Sequence, residues 1–355
     1  MTIHVPAQKP CSVPCPIAFV AEAPGAEELD KGKPLVGPSG RVFNGALRSA
    51  GLDREDFWVG NVFDEKLPDN EIGNWCVNAK VAKERGLIGY LPPIGSCGYL
   101  EASHHWHLTR LREELAAARP VVVVPLGATA LWAFTGDDNI SQVRGNVIEA
   151  KFVVPRAKLL PTFHPAHILH QWKFLSVLIG DMIKAMAEAE KGPTIIRPEK
   201  RLLLEPTLQD IWDWFPSLLG ADLLSVDIES RFGQITCIGF APDSTRAICI
   251  PFVDWRKPNR SYWNTPEEEL VVWNIVQQVL EGPAPKLGQN YGGYDAYWLL
   301  MKQGIRTMNM SEDTRLLHHT LYPELPKDLA FLGASYTQQG PWKMMGKGKK
   351  EKKDD

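Results

Sequence analysis

Two carboxylates are separated by a single residue in the second half of the chain, Asp227 and Glu229, within an apolar segment. On a β-strand, side chains two residues apart lie on the same face. Adjacent carboxylates repel each other unless a cation neutralises them, and hard divalent cations prefer such oxygen ligands. A third acid, Asp295, follows at an expected strand-to-helix turn. Together the three acids predict a site for Mg²⁺ or Mn²⁺ ions that clamp the oxygens of a phosphodiester.

A second group of polar residues stands at the ends of predicted strands in the first half of the chain. Glu22 follows the apolar run 17–21, and Asn61 and His164 stand at the ends of two later runs. The carboxyl ends of parallel strands converge on one ligand crevice, so these three side chains are expected to meet. The glycine-rich turn 37–40 leads into a helix and offers free amides that suit a phosphate.

The elements that must position these groups alternate between strand and helix up to about residue 190. Continuous apolar strands at 17–21 and 120–125 argue for a parallel sheet covered on both faces. A helix is expected over about 40–50 and a long one over about 165–190.

The rest of the chain predicts a different domain. Residues 191–207 carry three prolines and a basic cluster, as an interdomain linker would. Three consecutive strand signals follow, which suggest an antiparallel meander, and helices come after them. We therefore expect a first domain at 1–190, a second at 208–342 and a disordered Lys-rich tail at 343–355.

Composition excludes several classes of protein. The 355 residues suggest about two domains. The 39 basic and 42 acidic residues give a net charge of −3, which excludes a strongly basic nucleic-acid coat but leaves room for a local basic patch. No apolar run is long enough to span a bilayer, which takes about 20 residues. Six dispersed cysteines without a CxxC pair fit a reducing cytoplasm.

Four motifs in order give the first domain a resemblance to a known family. They are the segments 21–40, 60–63, 126–130 and 161–166. This set resembles the uracil-DNA glycosylase superfamily, most closely its family-four-like branch. The resemblance implies hydrolysis of the N-glycosidic bond of deoxyuridine after base flipping, without a metal. It also implies that Asn61 reads the pyrimidine edge, His164 donates a hydrogen bond to uracil O2, and Glu22 positions the attacking water.

The same resemblance implies a base pocket and a DNA-contacting surface. The pocket residues would be Ala23, Pro24, Gly25 and Leu35, and the DNA contacts would be Ser39, Gly40, Pro165 and Ile168, with the loop 165–169 as a wedge in the duplex. Leu35 departs from the stacking Phe that is usual in the family. Relatives carry an iron–sulfur cluster on four cysteines. Here Cys11 and Cys15 are too close to the first strand, so we favour ordinary thiols at Cys11, Cys15, Cys76 and Cys97 over a cluster.

The second domain resembles the DEDD-type 3′–5′ exonuclease of family A DNA polymerases. Asp227 and Glu229 match its first motif, and Asn290 with Tyr294 and Asp295 matches its second. The third motif, a Tyr with an acid four residues later, is missing, because Gly340 stands where Tyr336 would require that acid. The resemblance implies dependence on Mg²⁺ or Mn²⁺, with one carboxylate too few.

The fold class expected is therefore α/β throughout, with a parallel-sheet glycosylase-like domain followed by an RNase H-like mixed-sheet exonuclease-like domain. We expect a DNA repair or replication protein in the cytoplasm of a bacterium or phage-infected cell. It would excise uracil from single- or double-stranded DNA, and could form the front part of a phage DNA polymerase or a replisome partner. Two alternatives remain open: a non-catalytic DNA-binding accessory module, and an exonuclease with a structural first domain.

Overall fold

The computed structural model describes residues 3–338 and 340. The chain forms two compact units, one made of the residues up to Ile196 together with those from Ala330, and the other of Arg197–Leu329. The second unit therefore begins inside the segment 191–207, which was expected to be a linker, and ends before the expected bound at residue 342. The predicted Lys-rich tail, 343–355, lies outside the described residues.

A five-stranded sheet forms the centre of the first unit. The strands of this unit are β1 (Ile17–Ala21), β2 (Trp58–Asn61), β3 (Cys76–Val77), β4 (Tyr99–Leu100), β5 (Val122–Pro125), β6 (Ile148–Glu149) and β7 (Lys158–Leu159). The sheet order is β2-β1-β5-β7-β6, with all neighbours parallel except β6, which is antiparallel to β7. β1 and β5 are buried at every position, which requires cover on both sheet faces. The parallel α/β architecture expected for this unit is confirmed.

Helices connect these strands. They are α1 (Ala26–Lys31), α2 (Pro38–Ser49), α3 (Ala79–Glu84), α4 (Trp106–Ala118), α5 (Ala128–Thr135), α6 (Ile140–Val143), α7 (Pro165–His170) and α8 (Leu175–Glu190). The single helix predicted over 165–190 is broken between α7 and α8. Gln171 takes a non-helical backbone conformation there, and Phe174 packs its ring 4.9 Å from that of Phe163. The apolar periodicity continues across the break, so the sequence pattern did not show it.

A six-stranded mixed sheet forms the second unit. Its strands are β8 (Arg201–Leu203), β9 (Leu224–Arg231), β10 (Gln234–Ala241), β11 (Arg246–Pro251), β12 (Lys286–Gly288) and β13 (Met310–Asp313), and its helices are α9 (Leu208–Leu219), α10 (Pro266–Glu281), α11 (Asp295–Gln303) and α12 (Thr314–Leu321). β10 is antiparallel to β9 and β11, whereas β12 is parallel to β9 and to β13. The order β11-β10-β9-β12-β13 is that of the expected RNase H-like sheet, and β8 extends it beside β11.

The last described helix, α13 (Leu329–Tyr336), packs on the first unit. The Arg144 guanidinium lies over the Phe331 ring at 4.3 Å and donates to the Ser335 hydroxyl at 2.6 Å. Lys184 Nζ donates to the carbonyl of Ala334 at 2.9 Å. No described helix is both long and apolar enough to cross a bilayer.

Candidate active site

The parallel sheet brings the ends of β1 and β2 side by side. Ala21 pairs with Asn61 in the register, so Glu22 follows β1 at the sheet edge where β2 ends. The loop after β7 lies along the same edge, because Leu126 and Thr162 form a parallel bridge two residues before His164. The topology thus places all three predicted residues at one edge of one sheet.

Glu22 is a partly buried carboxylate with one side-chain partner among the described residues. Thr129 Oγ1, in the first turn of α5, donates to Glu22 Oε1 at 3.0 Å. Burial raises the pKa of Glu22, and the Thr129 hydrogen bond opposes that rise. The carboxylate therefore keeps lone pairs available for a water in an environment that strengthens its basicity.

Asn61 is 3% exposed, and its Nδ2 has no hydrogen-bond partner among the described residues. An unsatisfied buried donor costs about 1–3 kcal/mol, so native proteins rarely keep one without a reason. The backbone here is fixed by Arg110, whose Nη2 donates to the carbonyls of Asn61 and Val62, both at 2.9 Å. The Asn61 backbone is thus held in place, and its side-chain amide is a buried donor without a partner among the described residues.

His164 caps the N-terminus of α7. Its Nδ1 accepts a hydrogen bond from the Ala166 amide at 3.1 Å, so in the neutral ring the proton is on Nε2. Burial lowers the pKa of His164 to about 4. At neutral pH the ring is therefore an uncharged donor through Nε2. Gly127 packs against it with a φ of +87°, and a Cβ at residue 127 would come within 2.9 Å of the His164 Cβ.

The predicted pocket loops are held together by Glu28. Its Oε1 accepts from the amides of Val36 and Gly37 at 3.0 and 2.7 Å, and its Oε2 accepts from the Gly25 amide at 3.2 Å. These bonds join the loop after β1, with Ala23 and Pro24, to the loop before α2.

Leu35 lies at the centre of the second loop in a left-handed backbone conformation. Its φ is +49° and its side chain is 5% exposed. Arg54 donates from Nη1 to the Leu35 carbonyl at 2.8 Å and from Nη2 to the Pro34 carbonyl at 2.5 Å. Gly40 packs so closely that a Cβ there would lie 2.1 Å from the Leu35 carbonyl carbon. Sequence reasoning missed Arg54, Arg110 and Thr129 as supports of the site.

The predicted DNA contacts divide into two kinds. Ser39 and Gly40 lie in the first turn of α2, where amides have no acceptor within the helix. Pro165 begins α7 as expected. Ile168, however, is fully buried, because it lies on the core-facing side of α7, whereas Leu169 is 47% exposed. The structure therefore differs from the expectation that Ile168 enters the duplex, and it presents Leu169 instead.

The cysteines of the first unit do not converge on one point. Cys15 is buried and its thiol donates to the Ile17 carbonyl at 3.6 Å, whereas Cys11 is exposed. Cys76 lies near Cys97, whose charge adds to burial in raising the pKa of Cys76 to about 12. In the described part of the chain, no group of three His, Cys, Asp or Glu side chains is placed to hold a metal ion. This geometry does not fit a four-cysteine cluster.

The acids of the second unit are only partly assembled. Asp227 and Glu229 lie on one face of β9, as predicted. Asp295 accepts from the Ile228 amide at 2.8 Å, and burial, together with the charges of Asp227 and Asp313, raises the pKa of Asp295 to about 6. Asp313 instead caps α12 and accepts from backbone amides on both sides, including Tyr291 at 2.8 Å. The described residues thus bring Asp227 and Asp295 together but do not complete a three-ligand metal site.

Comparison with known proteins identifies the first unit. The model of the uracil DNA glycosylase superfamily matches residues 10–183. The Type-4 uracil-DNA glycosylase of Thermotoga maritima is 30% identical over 179 residues, which cover 49% of this chain and 78% of the relative. The chain belongs to the uracil DNA glycosylase superfamily. The Type-4 enzyme of Archaeoglobus fulgidus is 32% identical over 160 residues, 44% of this chain and 67% of the relative. Glu22, Asn61 and His164 lie within the matched residues, and so do the loops predicted to form the base pocket.

The comparison with solved structures gives an EXO domain and an RNase D among its matches, both at low overlap. The Nibbler EXO domain of Aedes aegypti covers 40% of this chain and 72% of its own length, with a TM-score of 0.29 and 15% identity. RNase D of Trypanosoma brucei covers 31% of this chain, with a TM-score of 0.25 and 17% identity. The chain spans 36% of that RNase D.

Proposed function

We propose that the first unit hydrolyses the N-glycosidic bond of deoxyuridine in DNA. The observation that carries this proposal is the buried Asn61 Nδ2, which lacks a partner among the described residues. It lies at the sheet edge that also carries the neutral His164 donor and the partly buried Glu22 carboxylate. An amide donor, a neutral imidazole donor and a general base at one sheet edge suit a pyrimidine with a carbonyl at each side of its ring. Membership of the superfamily supports the same substrate.

Asn61, His164 and Glu22 each have a separate role in the proposed reaction. With the uridine flipped out of the stack, the Asn61 amide binds the pyrimidine edge and excludes bases with a different hydrogen-bond pattern. As the bond from C1′ to N1 lengthens, negative charge grows on the uracil O2, where His164 Nε2–H donates. Glu22 orients a water toward C1′ and accepts its proton as the new C–O bond forms. The electron pair of the C1′–N1 bond leaves with the uracil, which is released as an anion and takes a proton from solvent, while Glu22 returns its proton to solvent. The products are free uracil and an abasic deoxyribose, and no step in this scheme uses a metal.

Release of free uracil tests this proposal. A labelled oligonucleotide with one deoxyuridine is incubated with the full chain in EDTA, as a single strand and as a duplex, and the base is detected by mass spectrometry. We expect uracil from at least one of the two forms and no base from the matched deoxycytidine oligonucleotide, because cytosine presents an amino group and an unprotonated N3 where uracil presents O4 and N3–H. Binding of the oligonucleotide without release would instead favour the alternative of a non-catalytic accessory module.

We propose a lesser role for the second unit, in which it binds DNA and holds one divalent ion without rapid catalysis. Asp227 and Asp295 are close, but Asp313 is occupied by backbone amides and no three-ligand group forms in the described residues. The polymerase or replisome connection expected from the sequence remains a prediction.

A further inference from the structure

Two large aromatic side chains are exposed side by side on the second unit. Phe232, in the turn between β9 and β10, is 77% exposed, the highest value for a large apolar side chain in the described part of the chain. Trp255, in the loop after β11, is 48% exposed. Their ring centroids are 5.8 Å apart in an edge-to-face arrangement. Two loops distant in sequence thus present one aromatic surface to solvent.

Arginine side chains cover and flank these rings. The Arg231 guanidinium lies 5.0 Å from the Phe232 ring and 5.7 Å from the Trp255 ring, and that of Arg260 lies 5.5 Å from Trp255. Neither arginine has a carboxylate partner among the ion pairs of the described residues. Cation–π contacts hold both guanidinium groups while leaving their N–H donors available.

The charge of the two loops is strongly one-sided. Residues 230–234 and 252–262 carry four basic side chains and one acid, Asp254. Asp254 is nearly buried and is paired with Arg256 at 2.9 Å. In a unit with more acids than bases, this is a local basic surface, and it attracts an anion rather than a neutral partner.

The aromatic surface lies at the end of β9, the strand that carries Asp227 and Glu229. Asp227, Glu229 and Arg231 are alternate residues of β9 and are all exposed, so Arg231 lies on the same face of the strand as the two acids. At a rise of about 3.3 Å per residue, the Arg231 backbone is roughly 7 Å beyond that of Glu229. A polyanion bound at this strand end would therefore lie within about two residues' length of the nearer carboxylate, Glu229.

We propose that Arg231, Phe232, Trp255 and Arg260 form a stacking platform for single-stranded DNA. Unpaired bases stack on the two exposed rings, and the guanidinium groups contact the phosphates between them. A duplex does not fit this chemistry, because its bases are already stacked on one another. The platform does not depend on uracil excision or on cleavage by the second unit.

The test uses the full chain and a fluorescent oligothymidylate without uracil. Base–aromatic stacking is expected to make Phe232→Ala and Trp255→Ala each weaken binding by about 5- to 150-fold if the platform dominates affinity. Trp212→Ala is the matched control, because Trp212 is 43% exposed on α9 of the same unit and lies outside the platform. Arg231→Gln and Arg260→Gln should each lower the slope of log affinity against log salt by about 0.7.

A second measurement locates the strand, since the glycosylase unit also binds DNA. One thymidine is replaced by photoreactive 4-thiothymidine, and the cross-linked peptides are mapped by mass spectrometry. We expect cross-links in 230–234 and 252–260, reduced in both alanine variants and unchanged in Trp212→Ala. The proposal is overturned if neither loop cross-links, or if the platform variants bind as the Trp212→Ala control does. Uracil release is measured on the same preparations, so that its loss is separable from loss of the platform.

Discussion

At the scale of single residues, the candidate site is marked by a buried polar atom that has no hydrogen-bond partner among the described residues. Asn61 keeps its buried Nδ2 without a partner, whereas its own backbone is held by Arg110. The sequence predicted Glu22, Asn61 and His164 because each ends an apolar run. It could not show Thr129, which lies 107 residues from Glu22 in sequence and reaches it only through the folding of β1 beside β5.

The pH dependence of excision should separate Glu22 from His164. In the proposed reaction Glu22 acts as a base and must be ionised, and burial raises its pKa above the ordinary value of 4.5. Activity should therefore fall as the pH decreases through that raised pKa, while His164, with a pKa of about 4, is still neutral. The measurement is kcat/KM against pH for the wild type and for Glu22→Gln, which should be slower and lack this acidic limb.

Thr129→Val sharpens the same test. The Thr129 hydroxyl donates a hydrogen bond that stabilises the ionised Glu22, so loss of this hydroxyl should raise the pKa of Glu22 and move the acidic limb to higher pH. Thr135→Val is the control, because Thr135 lies on the same helix and donates only to backbone carbonyls. If the acidic limb of the Thr129→Val profile has the same pKa as that of the wild type, the limb reports the ionisation of a group other than Glu22.

Substitution of Leu35 tests the shape of the base pocket. Leu35→Phe would restore an aromatic face to the flipped base, and an aromatic pair contributes about 0.5–1.5 kcal/mol beyond area burial. Single-turnover excision should therefore become faster or saturate at a lower DNA concentration, by up to roughly tenfold. Loss of excision with unchanged thermal unfolding would show that Leu35 does not line the base pocket.

At the scale of elements, strand patterns were easier to predict than the ends and partners of helices. The three strands of the expected meander appear as β9, β10 and β11, because alternation of buried and exposed residues is a local signal. The break between α7 and α8 and the docking of α13 on the first unit were not predicted. Both depend on tertiary contacts, of Phe174 and of Arg144, that no local pattern records.

The approach of α2 to the pocket loop gives a prediction at this scale. Gly40→Ala would place a Cβ 2.1 Å from the Leu35 carbonyl carbon, so the loop must move. Displacement of about 1 Å in a site can cost about 10²-fold in rate, and we expect a loss of that order in uracil excision. Gly45→Ala, on the same helix, meets no atom within 4 Å and should leave the rate unchanged while stabilising the helix by about 0.5–1 kcal/mol. Equal rates in the two variants would contradict this role of Gly40.

At the scale of the whole molecule, two units with different chemistry share one chain. The first carries the proposed excision site, and the second carries acids that form no three-ligand metal group in the described part of the chain. The fold class of each unit was predicted correctly from the sequence. The bounds of the units were harder to foresee, since β8 joins the second sheet through pairing with β11 and the chain returns to the first unit at Ala330.

The incomplete acid set predicts weak or absent nuclease activity. A labelled single strand without uracil should be degraded slowly or not at all in Mg²⁺, since the residues that the structure describes offer a second ion too few carboxylate ligands. Mn²⁺ should restore little, and Asp227→Ala should remove any residual cleavage. Rapid 3′–5′ degradation that Asp227→Ala abolishes would mean that a further acid, such as Asp313, completes the site.

The central claim is that Asn61 and His164 carry a metal-independent excision of uracil. It is tested most directly by single-turnover uracil release in EDTA from one duplex and one single-stranded substrate. Loss of one oxyanion-type donor costs about 10²–10³-fold in rate, so Asn61→Ala and His164→Ala should each be slower by about 10²-fold or more. Asn74→Ala, an exposed amide in the same unit, should retain the wild-type rate. Wild-type rates in Asn61→Ala and His164→Ala, or a wild-type reaction that stops in EDTA, would contradict the account.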